Sequence, residues 1–100
     1  MVIKISNHVE RCYSNEEGKI IQDIIKPYLK NDEPLTLSFE GVSGVTSSFV
    51  NTAFIELLDE FNFDLIKKNI KFVHTTRQIN KMIKDRYEFE VKKRNDLVLV

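Results

Sequence analysis

The sequence predicts an α/β fold, a mixed sheet of about four strands with two to three helices packed on it. Three observations predict it. Short apolar runs of strand length alternate with longer segments whose apolar residues recur at helical spacing. The 100 residues are 42% hydrophobic, including ten aromatics, which suffices for one core without covalent staples. Only two prolines and three glycines punctuate the chain, so a disordered polymer is excluded. One domain over residues 1–100 is expected, because no linker, repeat or low-complexity tract divides it.

The elements follow in order. Val2–Ser6 reads as the first strand, with Val2, Ile3 and Ile5 apolar. Ser14 and Glu17 have the spacing of a capping box, in which a hydroxyl and a carboxylate satisfy each other's free backbone N–H groups. Behind them Ile20, Ile21, Ile24, Ile25, Tyr28 and Leu29 recur at helical spacing and predict a helix over 15–30. Pro27 lies inside that stripe, removes one backbone donor and is expected to bend or weaken the last turn. Leu35, Leu37 and Phe39 alternate with Thr36 and Ser38 as a strand. A helix starting near Ser48 then carries Phe49, Val50, Ala53, Phe54, Leu57, Leu58 and Phe61 on one face. Asn69–Val73 reads as a third strand, and Thr75 or Thr76 as the cap of a helix bearing Ile79, Met82 and Ile83. Tyr87, Phe89 and Val91 alternate with charged residues. That favours an extra C-terminal strand or hairpin over 86–100, with a continuing helix as the alternative.

Composition narrows the function. Net charge is zero, yet residues 1–63 hold 5 Lys/Arg and 10 Asp/Glu while residues 64–100 hold 10 and 5. The halves therefore carry about −5 and +5, an asymmetry that steers partners or favours head-to-tail association. Arg77, Lys81 and Lys84 share a helix face, but overall neutrality and core-bound aromatics argue against nucleic acid. No apolar run approaches the roughly 18 residues of a membrane span, and the start has no leader-like pattern. With the single Cys12, these features point to a cytoplasmic protein. His8, His74 and Cys12 match no zinc spacing, and no phosphate-loop motif is present, so neither metal nor cofactor is expected.

The candidate site is the loop between the second strand and the second helix. Thr46, Ser47 and Ser48 stand at the mouth of the helix, flanked by Gly41 and Gly44. A serine there is either a plain N-cap or a regulated hydroxyl. A phosphate at that position adds about −1.5 to −2 charges, which free N–H groups and the helix dipole stabilise. Gly44, Thr46, Ser47, Ser48, Asn51 and Thr52 are the expected partner-binding residues. Ser48 with His74 is a conceivable nucleophile and base, but no third residue orients them and no catalytic set is complete.

Phe39-Glu40-Gly41-Val42, then Val45-Thr46-Ser47-Ser48-Phe49, then Ala53, Phe54 and Leu57 resemble the STAS-like family of small bacterial domains of unknown function, DUF4325. Gly18-Lys19 and Lys26-Pro27-Tyr28-Leu29 are also similar to it, so the resemblance covers roughly residues 2–85. The chain departs at Thr52 and Ile55, where the family often has an acidic residue and a glycine. The related anti-sigma factor antagonists carry Asp-Ser-Ser-Gly at positions matching Thr46, Ser47, Ser48 and Phe49. The resemblance implies a small STAS-like domain acting as a non-enzymatic regulatory protein-binding module. Ser48 and then Ser47 would be the phosphoacceptors, and a histidine-kinase-type ATPase or serine kinase the partner. The alternative is a self-assembling structural adaptor, a homodimer included, formed through an edge strand at Leu97–Val100.

Overall fold

The computed structural model describes residues 1–98, in which three parallel strands carry four helices on one face. The strands β1 (Val2–Lys4), β2 (Leu35–Ser38) and β3 (Ile70–Val73) lie in the order β1-β2-β3. The helix α1 (Asn15–Lys30) joins β1 to β2. Helix α2 (Ser47–Ala53), a 3₁₀ turn at Ile55–Asp59 and α3 (Phe63–Asn69) join β2 to β3, and α4 (Arg77–Val98) follows. Parallel neighbours require crossovers, and crossovers are right-handed. With strands in sequential order, both crossovers land on the same side of the sheet.

That side is the core. The register pairs Leu35 with Ile70 and Leu37 with Phe72, so one alternate set of side chains faces the helices. Leu35, Leu37, Phe39 and Ile70 are buried there. The rings of Phe39, Phe49, Phe54 and Phe72 meet with centroids 5.1 to 6.2 Å apart, several edge-on, the geometry that aromatic quadrupoles prefer. On the opposite face Val2 and Lys71 are exposed and Lys4, Thr36 and Val73 half-buried.

Helix α1 forms as its sequence predicts. The Ser14 hydroxyl accepts from the Glu17 N–H (3.2 Å), and the Glu17 carboxylate accepts from the Ser14 N–H (3.1 Å). Ile21, Ile25 and Leu29 are buried, while Ile20 turns outward. The helix continues through Pro27 to Lys30, because the donor lost at Pro27 would have served the exposed turn at Asp23. Gly18 is the point where α1 crosses α2. A Cβ built there would sit 2.9 Å from the Phe49 carbonyl oxygen.

Four expectations are corrected. The first strand stops at Lys4 instead of Ser6, since Ile5–Asn7 tightens into a 3₁₀ turn that buries Ile5. The helix expected from Ser48 to Phe61 breaks at Phe54, whose carbonyl is shared between the Leu57 N–H (3.2 Å) and the Tyr87 hydroxyl (2.8 Å). An i+3 bond replaces the i+4 bond, and the chain narrows to the 3₁₀ turn. Residues 63–68, unassigned in sequence, form α3 together with Asn69, which was expected to open the third strand; the Asn62 side chain caps the helix by accepting from the Leu65 N–H (2.8 Å).

The fourth correction concerns the C-terminus. Among the described residues the hairpin expected over 86–100 does not form, because α4 runs unbroken through Val98. Thr76 caps this helix by accepting from the Ile79 N–H (3.2 Å). Ile79, Ile83 and Tyr87, spaced four apart, are all buried, whereas Phe89 is 59% exposed. Period four therefore wins over the apparent alternation. Arg94 anchors the far end on the Leu58 carbonyl (3.1 Å) and Asp59 (2.7 Å). The sheet accordingly has three parallel strands, where a mixed sheet of about four was expected. Of the expected edge strand, Leu97 and Val98 belong to α4, and residues 99–100 lie outside the described residues.

Candidate functional site at the start of α2

The chain leaves β2 through a turn in which the Val42 N–H donates to the Phe39 carbonyl (2.8 Å). Gly41 adopts φ +84°, a left-handed conformation that glycine takes without steric cost. Two clamps then hold the loop. Gln78, in the first turn of α4, accepts from the Val45 N–H (3.3 Å) and donates to its carbonyl (3.2 Å), as a neighbouring strand would. From the other side, the Thr46 N–H donates to the Cys12 carbonyl (3.1 Å) and its hydroxyl to the Tyr13 carbonyl (2.7 Å). The Thr46 oxygen also accepts from the Phe49 N–H (3.2 Å), which makes Thr46 the N-cap of α2.

This settles a competition among three adjacent hydroxyls. Any of Thr46, Ser47 and Ser48 has cap chemistry. The extra bond from Thr46 to Tyr13 selects Thr46, and the helix starts at Ser47. Ser47 and Ser48 are exposed in the first turn, and their hydroxyls make no hydrogen bond among the described residues.

The other expected contact residues divide. Gly44 is half-buried beneath Gln78. Asn51 lies on the serine face, one turn on, and its side-chain oxygen accepts from the Arg86 Nε (2.9 Å). Thr52 is corrected: it is buried against α1, donates to the Asn15 side chain (3.2 Å) and is closed to a partner. His74 follows β3 in a left-handed conformation, φ 54°. Its charged neighbour is Glu40, whose carboxylate the Lys4 ammonium, at 3.1 Å, and to a smaller extent His74 hold below the usual range. No hydrogen bond joins His74 to Ser48 among the described residues.

Sequence reasoning missed Tyr13, Arg86 and Gln78, all brought to α2 by distant segments. Tyr13 is 51% exposed beside Thr46. The guanidinium of Arg86 lies over the exposed Phe89 ring at 5.6 Å, a cation–π contact. The segment carrying Tyr13 is folded by one carboxylate. Partial desolvation opposes the charge of Glu17, but donors on Tyr13, Ser14 and Arg11 outweigh it and hold the group below its ordinary range. A small cavity of about 90 Å³ lies behind the loop, lined in part by Ser6, Val9, Cys12 and Val42. Burial, and secondarily the Glu17 charge, pushes the Cys12 thiol up to about 11.

Among the described residues, no helix is long and apolar enough to cross a membrane. A family model described as a STAS-like domain of unknown function (DUF4325) matches residues 17–80, which include most of α1, the clamped loop, α2 and β3. Neither a curated protein nor a solved structure matches the chain.

Proposed function

Because the chain belongs to the STAS-like domain family of unknown function, DUF4325, we propose that it works as a regulatory protein-binding module of the cytoplasm, without catalysis of its own. It docks through the Gly44–Asn51 segment. Ser48, with Ser47 second, is the residue whose phosphorylation switches docking. The observation that carries this reading is the division of labour at α2: Thr46 caps, so two exposed serines are left without a structural task. A phosphate on either would meet the free N–H groups of the first turn. Arg86, fixed by Asn51 on the same helix face, supplies a cation nearby. Tyr13 offers a rigid aromatic anchor at the rim, a residue type enriched at binding surfaces.

The partner class is a protein with a histidine-kinase-type ATPase or serine-kinase fold, as the resemblance to anti-sigma factor antagonists implies. The test is binding of the partner co-isolated with the chain to three forms of it. Wild type and Ser48→Ala should form a stoichiometric complex, and Ser48→Glu should not. Equal binding by all three would remove the switch.

A further inference from the structure

We propose that the outer edge of β3, with the groove beside it, is a docking site for an extended segment of a partner protein, apolar at alternate positions and acidic between them. This site shares no residue with the start of α2. Among the described residues β3 is an edge strand. The Val73 carbonyl accepts from the Phe39 N–H (3.0 Å), so the main-chain groups of Val73 and Lys71 face β2. Period two then turns the N–H and C=O of Phe72 and the C=O of Ile70 to the outside. The Ile70 N–H is taken by the Ile66 carbonyl of α3. Three main-chain groups therefore stand ready for an added strand.

The space beside that edge suits alternating side chains. A groove of about 440 Å³ opens between α3, β3 and α4, walled by Phe63, Ile66, Ile70, Phe72 and Tyr87. Ile70 and Phe72 face it, while Lys71 points to the other side of the sheet. An added strand would place every second side chain in the groove and the intervening ones beside Lys71.

Charge decides the occupant. Lys67 and Lys84 rim the groove, the former over the Phe63 ring at 5.4 Å, and Glu88 is the one acidic residue of the lining. Lys84 continues into a stripe with Arg77 and Lys81, of which Lys81 is paired with Asp85 (2.9 Å). With exposed Lys71, the surroundings of the edge are net basic. Pairing β3 with β3 of a second copy would bring Lys67, Lys71 and Lys84 of both copies together, and like charges across a pair are unfavourable. The lysine that bars self-pairing admits an acidic strand.

The test pans phage-displayed random peptides on the full chain and measures the selected peptide by fluorescence anisotropy. The expected consensus alternates apolar residues with Asp or Glu. N-methylating one amide that faces β3 should weaken binding about tenfold, the loss of one hydrogen bond. Lys84→Glu should weaken it comparably with an unchanged melting curve, since that side chain is exposed. A consensus with helical spacing, indifference to N-methylation, or no enrichment would overturn the proposal. So would a dimer in sedimentation equilibrium whose β3 amides are protected from exchange, which would put a second copy on this edge.

Discussion

Replacing Gly18 with alanine tests whether α2 is held where its exposed serines require. Gly18 is buried in α1, and α1 packs on α2 more extensively than on any other helix. An added Cβ would lie 2.9 Å from the Phe49 carbonyl oxygen, 2.9 Å from Thr52 Cβ and 3.2 Å from the Ala53 nitrogen. Optimal non-bonded separations are about 3.5–4 Å between carbons. Two of the three obstacles are backbone atoms of α2, which no rotamer change removes. The helices must separate, and overpacking of this kind costs about 1–3 kcal/mol. Alanine recovers up to about 1 kcal/mol of helix propensity. The net expectation is a loss of about 0–2 kcal/mol, with a melting point lower by roughly 4–8 °C for each kcal/mol lost in a domain of this size. Urea and thermal denaturation followed by circular dichroism measure it. A variant more stable than wild type, with the full propensity gain and no packing cost, would refute the close crossing.

Other outcomes follow from the same contacts. Thr46→Ala should cost about 0.5–2 kcal/mol while Ser48→Ala leaves the melting point nearly unchanged, because only the threonine caps α2. Glu17→Gln should destabilise by about 1 kcal/mol near neutral pH, the scale of lost charge-assisted bonds at a half-exposed site. The folded-state pKa of Glu17 is depressed, so its contribution is present above the ordinary value of 4.5 and lost as pH falls through the folded value. The stability gap between wild type and variant should therefore close in acid, measured by urea titration at several pH values. The Cys12 thiol, buried and shifted to about 11, should react with an aromatic disulfide reagent only at the rate of local opening; immediate reaction in the native protein would contradict its burial.

Much of this architecture is legible in the chain. Ser14 and Glu17 announce a capping box whose partners are three residues apart, and local spacing is what a sequence displays. The strand Leu35–Ser38 and the core face of α1 are legible for the same reason. The C-terminus was ambiguous because Tyr87 belongs to two patterns at once. It follows Ile79 and Ile83 at period four and precedes Phe89 and Val91 at period two. Only tertiary structure reveals that Tyr87 reaches Phe54 and that Phe89 faces outward. Helix α3 is short, and its signal was Asn62 ahead of Phe63.

The candidate site divides in the same way. The hydroxyl cluster at the helix start is visible, whereas the residue that caps is chosen by a bond from Thr46 to Tyr13, 33 positions away. Arg86 and Gln78 are likewise brought to the loop and to α2 by α4, which no local spacing encodes.

The central claim is that Ser48 and Ser47 are free for modification and that modification controls docking. Peptide-level mass spectrometry of the chain isolated from its own cells, in partner-bound and unbound fractions, tests it most directly. Phosphate is expected on Ser48 or Ser47 in the unbound fraction and not in the bound fraction, with an ATPase or kinase in the complex. An identical, unmodified serine peptide in both fractions would contradict it.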